Sequence, residues 1–99
     1  MSSSPLLTED EITTGLARLT GWRRQGEAIT RTADATDFPA AIRVVVAVAE
    51  AAEAMNHHPD IDIRWRTLTF TLATHSAGGV TDLDLQLAAR IDQALTQQG

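Results

Sequence analysis

No cysteine occurs in the chain, which excludes disulfide bridges, zinc–thiolate sites and cysteine nucleophiles. Long apolar runs are also missing. The longest near-apolar stretch, Val44–Ala49, is far too short to span a bilayer. The opening MSSSPLLTEDE lacks the basic n-region and apolar core of a secretory signal, so the expected location is cytoplasmic. Basic residues are scarce: eight Lys plus Arg stand against thirteen Asp plus Glu, for a net charge of −5. Arg18, Arg23, Arg24, Arg31, Arg64 and Arg66 are interleaved with acids and polar residues and form no basic block, so direct nucleic-acid binding is not expected. Histidine is scarce too. Only three occur, yet two of them, His57 and His58, are adjacent and precede Pro59.

What is present fits one soluble domain. The 99 residues are 43% hydrophobic and 21% charged. A core of this size is feasible but not generous, so association between chains would help. The expected organisation is a single domain over 1–99, with 1–6 as a loose tail.

Periodicity and punctuation give the elements. Thr8 and Glu11 have capping-box spacing, and Leu7 and Ile12 have staple spacing, so a first helix starts at Thr8 and is expected to end at Gly21. Ile12, Leu16 and Leu19 form its apolar face. A β-hairpin follows, with strands near 21–25 and 28–34 broken at Gly26. The longest helix is expected over about 38–55, capped by Asp37 with Pro39 early, where proline is tolerated. Its polar positions Arg43, Glu50 and Glu53 fall on one narrow arc, and the rest is apolar or alanine. Such a helix needs cover on more than one side, which predicts a subunit interface.

Ile61, Ile63 and Trp65 alternate with charged residues, and Leu68, Phe70 and Leu72 alternate with threonines. The apolar parity flips near Arg66, so a tight turn there puts both sets on one face of an antiparallel pair, with Trp65 in the core. After SAGGV, Thr81 caps a last helix with Leu83, Leu87, Ile91 and Leu95 as its stripe. The order α-β-β-α-β-β-α predicts an α+β fold, a four-stranded antiparallel sheet with three helices on one face.

This topology predicts where the histidines go. His57 and His58 stand at the end of the long helix, which Pro59 is expected to stop, and His75 stands at the end of the last strand. If the last two strands pair, all three meet at one edge of the sheet. Histidine titrates near pH ~6.5 and can act as acid or base at neutral pH. Metal binding is the competing reading, because three histidines can form a catalytic zinc set. No HExxH spacing is present, however, and adjacent histidines at a helix end rarely both reach one ion.

The pattern Glu53, three residues, His57-His58-Pro59, five residues, Trp65, nine residues, His75, eight residues, Asp84 resembles the signature of the pterin-4a-carbinolamine dehydratases. GGVTDLDLQLAARID is similar to that family's last helix, and the likeness runs from about Leu7 to Leu95. The resemblance implies removal of water from a 4a-hydroxytetrahydropterin to give the quinonoid dihydropterin, in support of tetrahydrobiopterin recycling, with no metal or organic cofactor. It implies that His57 and His75 are the acid–base pair, in either order, and that His58 binds and orients the pterin. The backbone around Asn56–His58 and around Ala73, Thr74 and Ser76 would hold the pterin's amide and guanidine edge. Asp84 would support the site, although its spacing from Thr81 also fits a helix cap. Glu53, one turn before His57, could orient that ring or stand as an ordinary exposed acid. Asn56 stands where the family often has Asp, and Ala73 and Ser76 replace more polar residues. The family implies a homodimer or homotetramer through helix 38–55. A non-catalytic module on the same scaffold is the alternative, resembling a transcriptional coactivator or a carboxylase assembly factor.

Overall fold

Helix α1 (Glu9–Ala17) begins where side chains satisfy its first free amides. Thr8 Oγ1 accepts from Glu11 N at 3.1 Å, and Glu11 Oε1 accepts from Thr8 N at 2.8 Å. The chain is described over residues 5–99 in a computed structural model. The helix does not reach Gly21. Past Ala17 three amides bond three residues back: Arg18 N to Gly15 O, Leu19 N to Leu16 O, Trp22 N to Leu19 O. Bonds of that kind stack residues three apart. Leu16, Leu19 and Trp22 therefore share one face, and all three pack on the core. The expected loose tail is also corrected in part. Leu6 bridges to Thr81 and Leu7 N donates to Val80 O at 3.0 Å, while 1–4 lie outside the described residues.

Strands β1 (Arg23–Gln25) and β2 (Ala28–Asp34) form the first hairpin around Gly26, whose φ is +61°. Helix α2 (Phe38–Met55) starts with Asp37 Oδ1 accepting from Ala40 N at 2.8 Å. Its stop is not Pro59. Asn56 takes the left-handed conformation at φ 50°, which asparagine tolerates better than most residues, and His57 N closes back on Ala52 O at 3.0 Å. Pro59 only leads the chain from that stop into the next strand.

Strands β3 (Asp60–Arg64) and β4 (Thr67–Leu72) pair antiparallel, with Arg64 opposite Thr67 and Asp60 opposite Thr71. The sheet order is β1-β2-β4-β3. Ile61 faces Phe70 and Ile63 faces Leu68, so the flipped parity does put both apolar sets on one face. Leu68, Phe70 and Leu72 are sealed there together with Ile29 of β2. The helices, ending with α3 (Asp82–Gln98), cover that face through Ile12, Val44, Val48, Leu87 and Ile91. The opposite face carries Thr30, Thr32, Thr69, Thr71, Asp60 and Asp62. No helix among the described residues is long and apolar enough to cross a membrane.

Trp65 is not in the core. It forms the two-residue turn with Arg66 at φ 54°, is 70% exposed, and its ring lies under the Arg66 guanidinium at 5.0 Å. The alternation counted it as one more strand residue, but the chain must reverse there, and the turn carries its side chain off the sheet. Trp65→Asn is therefore expected to change stability by no more than about 0.5 kcal/mol, or to raise it, since asparagine suits positive φ. Urea unfolding checks this. A loss of about 3–5 kcal/mol would mark a buried tryptophan instead.

Candidate active site

The chain reversal at Asn56 and the pairing of β3 with β4 bring two segments together. His57 and His58 lie just before the start of β3, and His75 lies just after the end of β4. Because Asp60 pairs with Thr71, those two ends are neighbours. His58 and His75 line one cavity of about 100 Å³ with Ala28, Asp60, Thr71 and Ala73. Asp60 and Thr71 alternate with the core residues Ile61 and Phe70, so this cavity opens on the sheet face away from the helices. A second cavity of about 330 Å³ shares Ala28, Ala73 and His75 and extends to Glu27, Gly78 and Gly79.

His75 is exposed and begins a tight loop. Thr74 N donates to Gly79 O at 2.8 Å, and Ala77 N and Gly78 N donate back to Thr74 O, each at 3.0 Å. Gly78 has φ +80°, which the loop needs in order to return to Gly79. Ser76 lies in the same loop, exposed.

His57 takes a different direction from its neighbour. It is 8% exposed, and its Nε2 lies 2.6 Å from Asp84 Oδ1 on the first turn of α3. Asp84 is sealed from solvent. Its other oxygen, Oδ2, accepts from Thr81 N and from the Thr74 hydroxyl, both at 2.9 Å. One carboxylate therefore serves both readings of that residue: Oδ2 completes the cap of α3, and Oδ1 holds His57. Among the described residues no sealed side-chain nitrogen or oxygen lacks a hydrogen-bond partner. Nδ1 of His57 makes no such bond, so it reaches solvent.

Glu53 does not hold His57. It lies 2.5 Å from His58 Nε2, with Glu53 77% and His58 55% exposed at the side chain. The reversal at Asn56 takes His57 inward and leaves His58 above the last turn of α2, where Glu53 reaches it. An ion pair this exposed contributes little to stability. Asn56 itself is exposed at the helix end, and its backbone makes the turn. Among the described residues no group of three or more His, Asp or Glu side chains is arranged to hold a metal ion.

Sequence reasoning missed Asp60, Thr71 and Ala28 as cavity walls and Thr81 as a partner of Thr74. Asp60 follows the histidine–proline run directly, and Thr71 is its register partner, so both were within reach of the strand argument. Ala28 enters through the pairing of β2 with β4, for which the local pattern carried no signal.

Comparison with known proteins finds relatives of this chain. A family model described as pterin 4 alpha carbinolamine dehydratase matches residues 5–94. A Nocardia farcinica protein named, provisionally, as a pterin-4-alpha-carbinolamine dehydratase is 57% identical over 91 residues, covering 92% of this chain and 96% of the relative. A Mycobacteroides abscessus protein of the same provisional name is 54% identical over 87 residues, covering 88% and 93%. Among solved structures, a transcriptional coactivator/pterin dehydratase from Brucella melitensis superposes with a TM-score of 0.87 at 37% identity, over 90% of this chain and 97% of that one. A pterin dehydratase-like protein described as a RuBisCO assembly factor in the alpha-carboxysome superposes at 0.66 with 20% identity, over 76% and 89%, and shares the fold.

Proposed function

Because this chain belongs to the pterin 4 alpha carbinolamine dehydratase family, we propose that it dehydrates a 4a-hydroxytetrahydropterin to the quinonoid dihydropterin and water. The reaction breaks the C4a–O bond and forms a C4a=N5 double bond. One group delivers a proton to the departing hydroxyl, and another removes the proton from N5. His57 and His75 are the pair assigned to these transfers, and His58 orients the pterin. The observation that carries the reading is the cavity shared by His58 and His75 at the sheet end, one residue from a His57 that a buried carboxylate holds by one nitrogen. A histidine with one nitrogen fixed and the other open is arranged for proton transfer. The backbone at Asn56–His58 and at Ala73–Ser76 would supply donors and acceptors for the flat edge of the pterin. The chemistry calls for no metal or organic cofactor, and the enzyme is assigned to the cytoplasm. Stopped-flow turnover of a 4a-hydroxytetrahydropterin tests the reading.

A homodimer or homotetramer through α2 completes the proposal. Phe38, Ile42 and Val46, at helical spacing, are 47%, 37% and 54% exposed. Burying such a stripe against a second copy removes apolar area from water. Val46→Glu is expected to move the sedimentation coefficient at micromolar concentration to that of a monomer. A wild type that already sediments as a monomer contradicts this.

The second reading, a protein-binding module, draws support from the coactivator description of the Brucella melitensis relative. Capture of one stoichiometric protein partner by a chain without dehydratase activity would favour it. Retention of all three histidines favours the enzyme.

A further inference from the structure

Thr74 touches both halves of the site. Its backbone anchors the His75 loop through Gly79, Ala77 and Gly78, and its side chain reaches the Asp84–His57 pair. Oγ1 of Thr74 lies 2.9 Å from Asp84 Oδ2 and 2.7 Å from Thr81 Oγ1. Proton counting sets the direction of this chain. With Asp84 as a carboxylate, both its oxygens only accept, so Thr74 gives its single hydroxyl proton to Oδ2. The Thr74–Thr81 contact must then use the proton of Thr81, whose oxygen accepts from Leu83 N at 3.3 Å. At Oδ1 only an N–H completes the contact, so His57 carries a proton on Nε2.

The cap of α3 does not require this hydroxyl. Thr81 and Asp84 form the capping box between themselves. Thr74 stands outside that box and still donates to the same carboxylate oxygen. Nor is its hydroxyl available to a ligand, since Thr74 is 6% exposed and its only proton is engaged inside the protein.

We propose that Thr74 is a positioning residue for His57: its hydroxyl fixes the orientation of the Asp84 carboxylate, and Asp84 holds His57 as the Nε2–H tautomer with Nδ1 open for proton transfer. The backbone of the same residue sets where the His75 loop begins, so one residue, through side chain and backbone, links the two proton-transferring histidines. This rests on the assignment of His57 to acid–base chemistry.

Thr74→Val deletes the hydroxyl at nearly constant volume, and Thr74→Ser keeps it. The valine variant is expected to lose about 10-fold in kcat with KM unchanged, the scale of one lost hydrogen bond to a charged group. The serine variant is expected to restore kcat. Nitrogen-15 shifts of the His57 ring should report Nε2–H in the wild type and a mixture of tautomers in the valine variant. A raised KM at unchanged kcat would make Thr74 a substrate contact and overturn the proposal. A lower melting temperature with unchanged kcat and an unmixed tautomer would reduce it to structure and overturn it equally. If the valine variant does not fold, Thr74→Ala takes its place, and Nδ1–H at His57 in the wild type overturns the proposal whatever the variants do. A wild type that shows the Nε2–H tautomer and turns over no substrate counts against the dehydratase reading, not against the positioning of His57.

Discussion

His75→Ala is expected to lower kcat for dehydration by about 10²–10⁴-fold, the range one positioned acid or base contributes. Stability should change by less than about 0.5 kcal/mol, because the side chain is exposed and the loop is held by backbone bonds that alanine preserves. This separation makes His75 the cleanest probe of the site. A variant of His57 would lose an internal hydrogen bond as well as an acid or base, so its kinetics would mix two effects. Stopped-flow kinetics beside a thermal melt checks the prediction. Full activity in the alanine variant removes His75 from the chemistry.

The largest stability effect is expected at Asp84. Asp84→Ala strands three donors at once, the Thr81 amide, the Thr74 hydroxyl and Nε2–H of His57, in a place sealed from solvent. The expected loss is about 3–5 kcal/mol, read from urea unfolding. Asp84→Asn should cost less stability, because an amide oxygen can still accept from Thr81 and Thr74. Its NH₂ group would then face His57 and force Nε2 to accept, which inverts the tautomer. In serine-protease triads the same exchange costs about 10⁴-fold in rate. Activity falling far while stability falls modestly is therefore the expected signature of Asp84→Asn. A variant with wild-type kcat would show that Asp84 acts on the helix cap alone.

Local chemistry made much of this fold legible. The capping boxes at Thr8 and Thr81, the Asp37 cap and the parity flip between Ile63 and Leu68 each correspond to a satisfied amide or a shared face. Reading failed where two local rules competed. Pro59 looked like the stop of α2, but Asn56 reverses the chain three residues earlier, because a left-handed residue closes the open carbonyls of the last turn and a later proline cannot. Trp65 fitted the alternation of β3 and still left the core, because the hairpin needed its backbone for the turn. In the site, strand pairing foretold that the end of β4 would face the start of β3. It could not foretell that adjacent histidines would point to opposite sides, His57 to α3 and His58 to the open face. That division follows from the reversal at Asn56 and from a carboxylate 27 positions along the chain, neither of which leaves a periodic mark.

Turnover of a 4a-hydroxytetrahydropterin by the wild-type chain, followed by stopped flow against the spontaneous reaction, tests the central claim most directly. The predicted result is a rate of quinonoid dihydropterin formation that rises in proportion to enzyme concentration, with an enzyme-dependent part that falls about 10²–10⁴-fold in His75→Ala. A folded wild type that leaves the spontaneous rate unchanged would contradict it.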